Sequence, residues 1–291
     1  MRRTLRRLRD NPVVLATCVA GLRCARSFGF IRSRRIYSHV PYRGIVTVDC
    51  GNGEFFRIKS RGDAIENGLY WDGMYAHEPE SMRHWVERAR RSGVVLDIGA
   101  NSGVFALIAA AVGARTVHAF EPLPRVHAIL AHNVSLNDRS PIDAWPFAVG
   151  SEDGVATIFD PGGVAPTSAS LSAEFASGHF GDLPGSDVRV VAIDSFCREH
   201  GIESVDLIKV DVEGYEEHAL RGMRAIVFSS RPAILMEVLP GQEASLRQVV
   251  EELWPAMYSW TAVDEGKGHV SRNVILLPTQ MVRGPGQVRG E

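Results

Sequence analysis

From Val94 onward the apolar residues come in two alternating kinds of run, compact blocks rich in Val, Ile and Leu and longer stretches with helical spacing. The pattern predicts a strand over 94–98, a helix over 102–112, a strand over 116–120, a helix over 124–136 and a strand over 142–149. A helix over 78–91 leads into the first of these strands. Further along, strands are expected over 188–193, 205–210 and 233–238, with helices starting near Asp194, as its N-cap, and over 215–223. Residues 258–263 and 273–277 read as a closing antiparallel pair. Such alternation predicts an α/β, Rossmann-like fold: a seven-stranded, mostly parallel sheet with helices on both faces. Ahead of it, extended runs at 45–50 and 54–59, separated by Gly51-Asn52-Gly53, predict a β-hairpin. Four segments result: a leader over 1–43, the hairpin and a cap over 44–77, the main domain over 78–280, and a Gly/Pro-rich, frayed tail over 281–291.

Between 160 and 187 the composition shifts to Gly, Pro, Ser and Ala, with Phe175 and Phe180 scattered through it. That stretch reads either as a functional lid or as a disordered loop. No internal repeat or sustained heptad pattern is visible.

The strongest chemical signal lies where the first strand meets its helix, in the stretch Asp97-Ile-Gly-Ala-Asn-Ser-Gly103. Gly99, Asn101 and Gly103 shape a tight turn that lets backbone N–H groups approach a nucleotide-like ligand. A dinucleotide fingerprint starting at Gly99 would need glycines at Asn101 and Val104. Asp97 would repel a pyrophosphate and attract a cation, and S-adenosylmethionine carries both an ammonium and a sulfonium. Glu121-Pro122 ends the next strand, where an acid can accept both ribose hydroxyls and the proline fixes the turn. An ordinary strand-to-helix loop is the plainer reading of the glycine turn taken alone.

Composition narrows the classes. The 291 residues, 45% hydrophobic, suffice for one large α/β domain with an appendage. Cys18, Cys24, Cys50 and Cys197 form no paired motif and no metal spacing, so neither a zinc site nor a disulfide framework is expected, and a cytoplasmic setting fits best. The net charge of −2 hides an asymmetry: residues 1–43 hold eleven arginines and a single acid, Asp10, while the remainder is strongly acidic. Such a leader can touch anionic lipid or nucleic acid, or lie on the protein's own acidic surface, and the last is favoured. Peripheral membrane contact through residues 1–35 stays open. The apolar run 13–22 is too short to span a bilayer and is closed by Arg23, and no clear cleavage site marks a signal peptide.

Five blocks, VVLDIGANSG (94–103), FEP (120–122), AVGSEDG (148–154), LIKVDVEGYE (207–216) and LMEVLP (235–240), together resemble the FkbM family of S-adenosylmethionine-dependent methyltransferases over roughly residues 78–278. The resemblance implies a class I methyltransferase fold and O-methylation of a hydroxyl on a sugar, glycan or natural product. The leader lies outside it.

Methyl transfer from a sulfonium is an in-line displacement, helped by positioning in a dry pocket and by a base or metal that removes the hydroxyl proton. Asp211 and Glu213 follow one strand and Glu237 lies at the end of the next, so all three are expected near the reacting atoms, with Lys209 on the face of Asp211. A carboxylate base is preferred to a divalent cation, and no metal site is assigned. Against this, Asp211 or Glu213 would merely cap the helix near Tyr215, and Tyr215 and His218 read as packing residues. Asp97 is expected near the methionine ammonium and Glu121 on the ribose. Adenine is left to Ala148 and Val149, with Asp143 and Ser151 as unranked alternatives. Rival readings are a nicotinamide oxidoreductase, which the incomplete glycine pattern disfavours, a non-catalytic binding or scaffold protein on the same fold, and a nucleic-acid methyltransferase. The last is disfavoured by the acidic body, so no nucleic-acid partner is expected.

Overall fold

The computed structural model describes residues 12–31, 37, 40–138, 140–160, 162, 170–171, 183–263 and 272–279. Residues cluster into two compact units, 1–146 with 162–167, and 147–161 with 168–291.

The first unit begins with helix α1 (Pro12–Ser27) and the hairpin β1 (Gly44–Gly51) and β2 (Glu54–Ser60). The turn takes the left-handed backbone that its sequence favours, with φ of 55° at Asn52 and 80° at Gly53. Helices α2 (Ala64–Asp72) and α3 (Pro79–Ala89) follow, then β3 (Val94–Ile98), α4 (Val104–Ala111), β4 (Thr116–Phe120), α5 (Pro124–Ser135) and β5 (Ile142–Trp145). Strands β3, β4 and β5 pair in parallel. Their apolar runs are buried on both faces, Leu96, Ile98, Val117 and Ala119 each at 0–1% exposure, as a sheet covered by helices requires. Helix α1 packs Leu15 and Val19 on Tyr37 and Trp71, so the apolar part of the leader forms structure that periodicity alone did not reveal.

In the second unit, β6 (Ala148–Val149), β7 (Gly154–Phe159) and β8 (Gly185–Val191) form a three-stranded sheet of order β6-β8-β7. Helix α6 (Ile193–Glu199), β9 (Leu207–Val210), α7 (Glu216–Gly222), α8 (Arg224–Ser230), β10 (Ala233–Val238), α9 (Glu243–Leu253), β11 (Tyr258–Ala262) and β12 (Arg272–Pro278) complete the chain. Strands β9 and β10 are parallel, while β12 runs antiparallel to both β10 and β11. The main sheet is seven-stranded, of order β11-β12-β10-β9-β3-β4-β5, so the α/β expectation holds. Gly222 has a packing reason: a Cβ there would lie 1.9 Å from the Gly150 carbonyl oxygen, so only glycine lets α7 come this close.

Several boundaries differ from expectation. The strand expected over 142–149 is two strands in different sheets, because Pro146 cannot donate to a ladder. The segment at 188–193 joins the small sheet with β7, a strand the pattern did not predict. Helices α2, α8 and α9 were also unforeseen. Asp194 lies inside α6, and its carboxylate accepts the Ala225 and Ile226 N–H groups, capping α8 rather than its own helix. Most of the expected lid, with Phe175 and Phe180, lies outside the described residues, as do the tail 281–291 and the first eleven residues. Among the described residues no helix is long and apolar enough to cross a membrane.

Candidate functional site

In the first unit, the chain leaves β3 and folds back over the end of β4. The Gly99 and Ala100 N–H groups both donate to the Phe120 carbonyl, at 3.0 and 2.9 Å, and Gly103 N–H donates to Ala100 at 2.8 Å. This path needs left-handed backbone at Gly99 (φ 81°), Asn101 (49°) and Gly103 (90°), and asparagine is among the few side chains that tolerate it. A Cβ at Gly103 would also meet Leu130 Cδ1 at 2.5 Å. Asp97 is 1% exposed, and its Oδ2 accepts the Ala106 N–H at 2.9 Å in the first turn of α4, where the helix dipole favours an anion. Asp97, expected only to meet a ligand, also holds the helix that follows the loop.

Glu121 is the second acid of this group. Its Oε1 accepts the Leu123 N–H at 2.9 Å and its Oε2 the Asn101 N–H at 3.1 Å, which ties the turn after β4 to the glycine loop. Burial pushes its carboxyl up to about 7, against the opposing pull of those two amides. Each oxygen retains a lone pair for a further donor. Pro122 follows, half-buried, before α5.

Asn133, in α5, was not singled out from the sequence. It is fully buried, accepts the Lys59 N–H of the hairpin at 3.0 Å, and donates to the Ser102 carbonyl of the glycine loop at 2.8 Å. One amide side chain thus satisfies both an edge strand and the loop. No local pattern marks such a residue, because its partners are 74 and 31 positions away.

In the second unit, Asp211, Glu213 and Glu237 come together, with one oxygen from each within 4.8 Å of the others. Strand β9 delivers the first two and β10 the third. Lys209, 3% exposed, donates to Asp211 Oδ2 at 2.5 Å. Burial alone would raise the Asp211 carboxyl, but the Lys209 ammonium and a hydrogen bond with Glu237 outweigh it and hold it below the usual range. Glu213 behaves oppositely: burial, then the nearby Asp211 and Glu216, push it up to about 8.

Glu213 also has a left-handed backbone (φ 52°), unusual for a glutamate and followed by left-handed Gly214. Two contacts hold the turn. Glu216 Oε1 accepts the Val212 and Gly214 N–H groups at 3.3 and 3.1 Å, and Ser170 Oγ donates to the Glu213 carbonyl at 2.5 Å. The helix cap at Tyr215 has no side-chain hydrogen bond, so neither Asp211 nor Glu213 caps α7; Glu216 secures this turn instead. Tyr215 and His218 stack at 4.1 Å, in keeping with packing roles.

Ala148 and Val149 are buried in β6, paired with Val190 and Val191 in the small sheet. Asp143 pairs with His118 Nδ1 at 3.5 Å, and Ser151 is exposed. All four cysteines are free thiols.

The model of the methyltransferase FkbM domain matches residues 97–260, more than half of the chain. Among curated proteins, the chain is 28% identical over 148 residues to a hexuronic acid methyltransferase, AglP, of Haloferax volcanii, covering 50% of this chain and 56% of that protein. It is 32% identical over 166 residues to the 31-O-demethyl-FK506 methyltransferase FkbM of Streptomyces tacrolimicus, covering 49% and 63%. The chain therefore spans less than two thirds of the length of these relatives. A crystal structure of methyltransferase FkbM from Methylobacillus flagellatus KT superposes with a TM-score of 0.46 at 16% identity, covering 64% of this chain and 43% of that one. On the family match and the seven-stranded sheet, the chain belongs to the FkbM methyltransferase domain family.

Proposed function

We propose that this protein transfers a methyl group from S-adenosylmethionine to a hydroxyl of a sugar, glycan or natural product. The observation that carries the reading is Glu121, whose two oxygens accept one backbone N–H from the glycine loop, at Asn101, and one from the turn after β4, at Leu123, and keep a lone pair apiece, the arrangement a ribose diol needs. Asp97, Gly99, Asn101, Gly103 and Pro122 complete the donor-binding set, with the buried Asp97 supplying negative charge toward the methionine ammonium. Ala148 and Val149 are the proposed apolar contacts for adenine. The donor set suits a cation carrying a diol better than a pyrophosphate.

When bound in the Asp97, Gly99, Asn101, Gly103 and Glu121 set, S-adenosylmethionine would supply an electrophilic methyl carbon and a sulfur leaving group. The protein must then orient the hydroxyl and take its proton. Of the three clustered carboxylates, Glu213 suits the base. A carboxyl raised to about 8 holds a proton far more strongly than an ordinary glutamate, and that value lies near working pH. Asp211, held low by Lys209, is the weaker base and serves as a fixed negative charge. The left-handed turn at Glu213 fits a functional position, since such strain persists where surrounding contacts enforce it.

A second reading has a specific observation behind it. Three carboxylate oxygens within 4.8 Å form a hard donor set that suits a divalent cation able to acidify the hydroxyl. Lys209 competes for Asp211 Oδ2 and its ammonium would repel a cation, so we prefer a base, which acts through the ionised fraction of Glu213. The relatives act on a hexuronic acid and on a demethylated FK506 by their names, which supports a hydroxylated acceptor here.

The test is mass-spectrometric screening of extracts incubated with S-adenosylmethionine for a mass gain of one methylene, repeated with chelator. Methylation that survives chelation and is lost in Glu213→Gln supports the base. Loss on chelation, restored by added cation, would replace it with the metal reading.

A further inference from the structure

Phe28 and Phe30 are 73% and 82% exposed, the two most exposed large apolar side chains among the described residues. They follow α1, with rings 6.4 Å apart across left-handed Gly29. Leaving two phenylalanines in water is costly, and single-residue scatter does not account for an adjacent pair. The exposed residues of α1 before Arg23 are Val14, Ala16, Thr17, Cys18, Ala20 and Gly21, none of them charged. Beside it is an open cavity of about 350 Å³ lined by Arg23, Arg26, Ser27, Tyr70 and Trp71.

We infer that this corner of the first unit docks on an anionic phospholipid surface, with Phe28 and Phe30 inserted among the acyl chains and a headgroup phosphate in the Arg23–Arg26 cavity. Charge complementarity selects the occupant. Eleven arginines and one acid precede residue 44, Arg32, Arg34 and Arg35 follow Phe30 within five positions, and the remainder of the chain is acidic. A negatively charged bilayer attracts that segment and repels the rest, which sets an orientation. Arg26 pairs with Asp72 at 3.4 Å and lies 4.6 Å from the Tyr37 ring, and Arg23 lies 5.7 Å from the Tyr70 ring. These contacts hold the two guanidinium groups at the cavity while leaving further donors for a phosphate. At 16 residues α1 is about 24 Å long, short of the roughly 30 Å hydrocarbon core, so it lies on a membrane rather than crossing it. Lipid is favoured over nucleic acid because the arginine donors stand beside two exposed phenylalanine rings, a pairing that matches a headgroup phosphate and the acyl chains beneath it. The inference is independent of the proposed reaction.

The test is flotation of the full chain with phosphatidylcholine vesicles, with and without phosphatidylglycerol, for the wild type and the Phe28→Ser/Phe30→Ser double variant. The anionic vesicles should bind at least about tenfold more tightly than the neutral ones, and less tightly at high salt. The double variant should lose about tenfold while keeping the wild-type circular dichroism and melting temperature, because both side chains are exposed in the free protein. Arg23→Gln, tested separately, should weaken anionic binding alone. Equal binding to both vesicle types, or full binding by the double variant, overturns the inference. So does absence of vesicle binding together with RNA binding, or with a self-association that the double variant abolishes.

Discussion

Glu213→Gln separates a base with a raised proton affinity from a structural anion without requiring a known acceptor. Folding moves the Glu213 carboxyl from 4.5 to about 8, mainly through burial and then through Asp211 and Glu216. The sign follows from linkage: the folded state holds the proton more tightly, so this group's contribution to stability is complete below about pH 4.5 and is lost as pH rises through 8. At about 1.4 kcal/mol per tenfold, the full span corresponds to at most roughly 5 kcal/mol, and the partial exposure of Glu213 reduces this to about 2 kcal/mol. Glutamine keeps the shape and removes the titration. Its advantage over the wild type should therefore be near zero at pH 5 and grow to about 2 kcal/mol by pH 9, or several degrees in apparent melting temperature. Comparing the two proteins at each pH cancels Glu121, which also rises on folding, to about 7, whereas Glu216, likewise raised to about 7, interacts with Glu213, and its relief in the variant adds to the same alkaline advantage. Thermal melts at pH 5, 7 and 9 measure the difference. A variant destabilised equally at every pH would show that Glu213 is a paired anion, and the base assignment would fall.

Two further perturbations probe the donor loop. S-adenosylmethionine affinity should rise about tenfold between pH 6 and pH 8.5, because the diol needs ionised Glu121, whose carboxyl sits at about 7 when free; calorimetric titration at the two pH values measures it, and a flat profile would count against a role for Glu121. Asn133→Leu strips partners from the Lys59 N–H and the Ser102 carbonyl, so a loss of about 2–4 kcal/mol and weaker donor binding are expected; an unchanged melt would mean that water replaces the amide.

The parts of the fold legible in the sequence are those written locally. Strands β3, β4, β9 and β10 are short, doubly buried apolar runs, and the strand-to-helix turns announce themselves through Gly99, Gly103 and Gly214. In the antiparallel pair β11 and β12, only β12 is such a buried run, and β11 is a mostly exposed edge strand. Where the reading failed, distant partners decided the outcome. Residues 142–149 look continuous in apolar character, yet the strands on either side of Pro146 join different sheets. Helix α1 gains its place from Tyr37 and Trp71, and Asp194 caps a helix that starts 30 residues later.

At the site, residue types were legible and their states were not. Asp211, Glu213 and Glu237 were named from strand ends, and they do cluster. The two-residue spacing of Lys209 and Asp211 already put the ammonium on the side of that carboxylate, but the burial that raises Glu213 is set by distant packing and no spacing encodes it. Asn133 and Glu216 were missed because their work is done on backbone groups, which carry no sequence signature.

The most direct test of the central claim is calorimetric titration of the full chain with S-adenosylmethionine, S-adenosylhomocysteine and NAD, alongside Glu121→Ala. Both sulfur compounds should bind, NAD should give no heat, and the variant should lose S-adenosylmethionine binding. Binding of NAD with neither sulfur compound would contradict the claim.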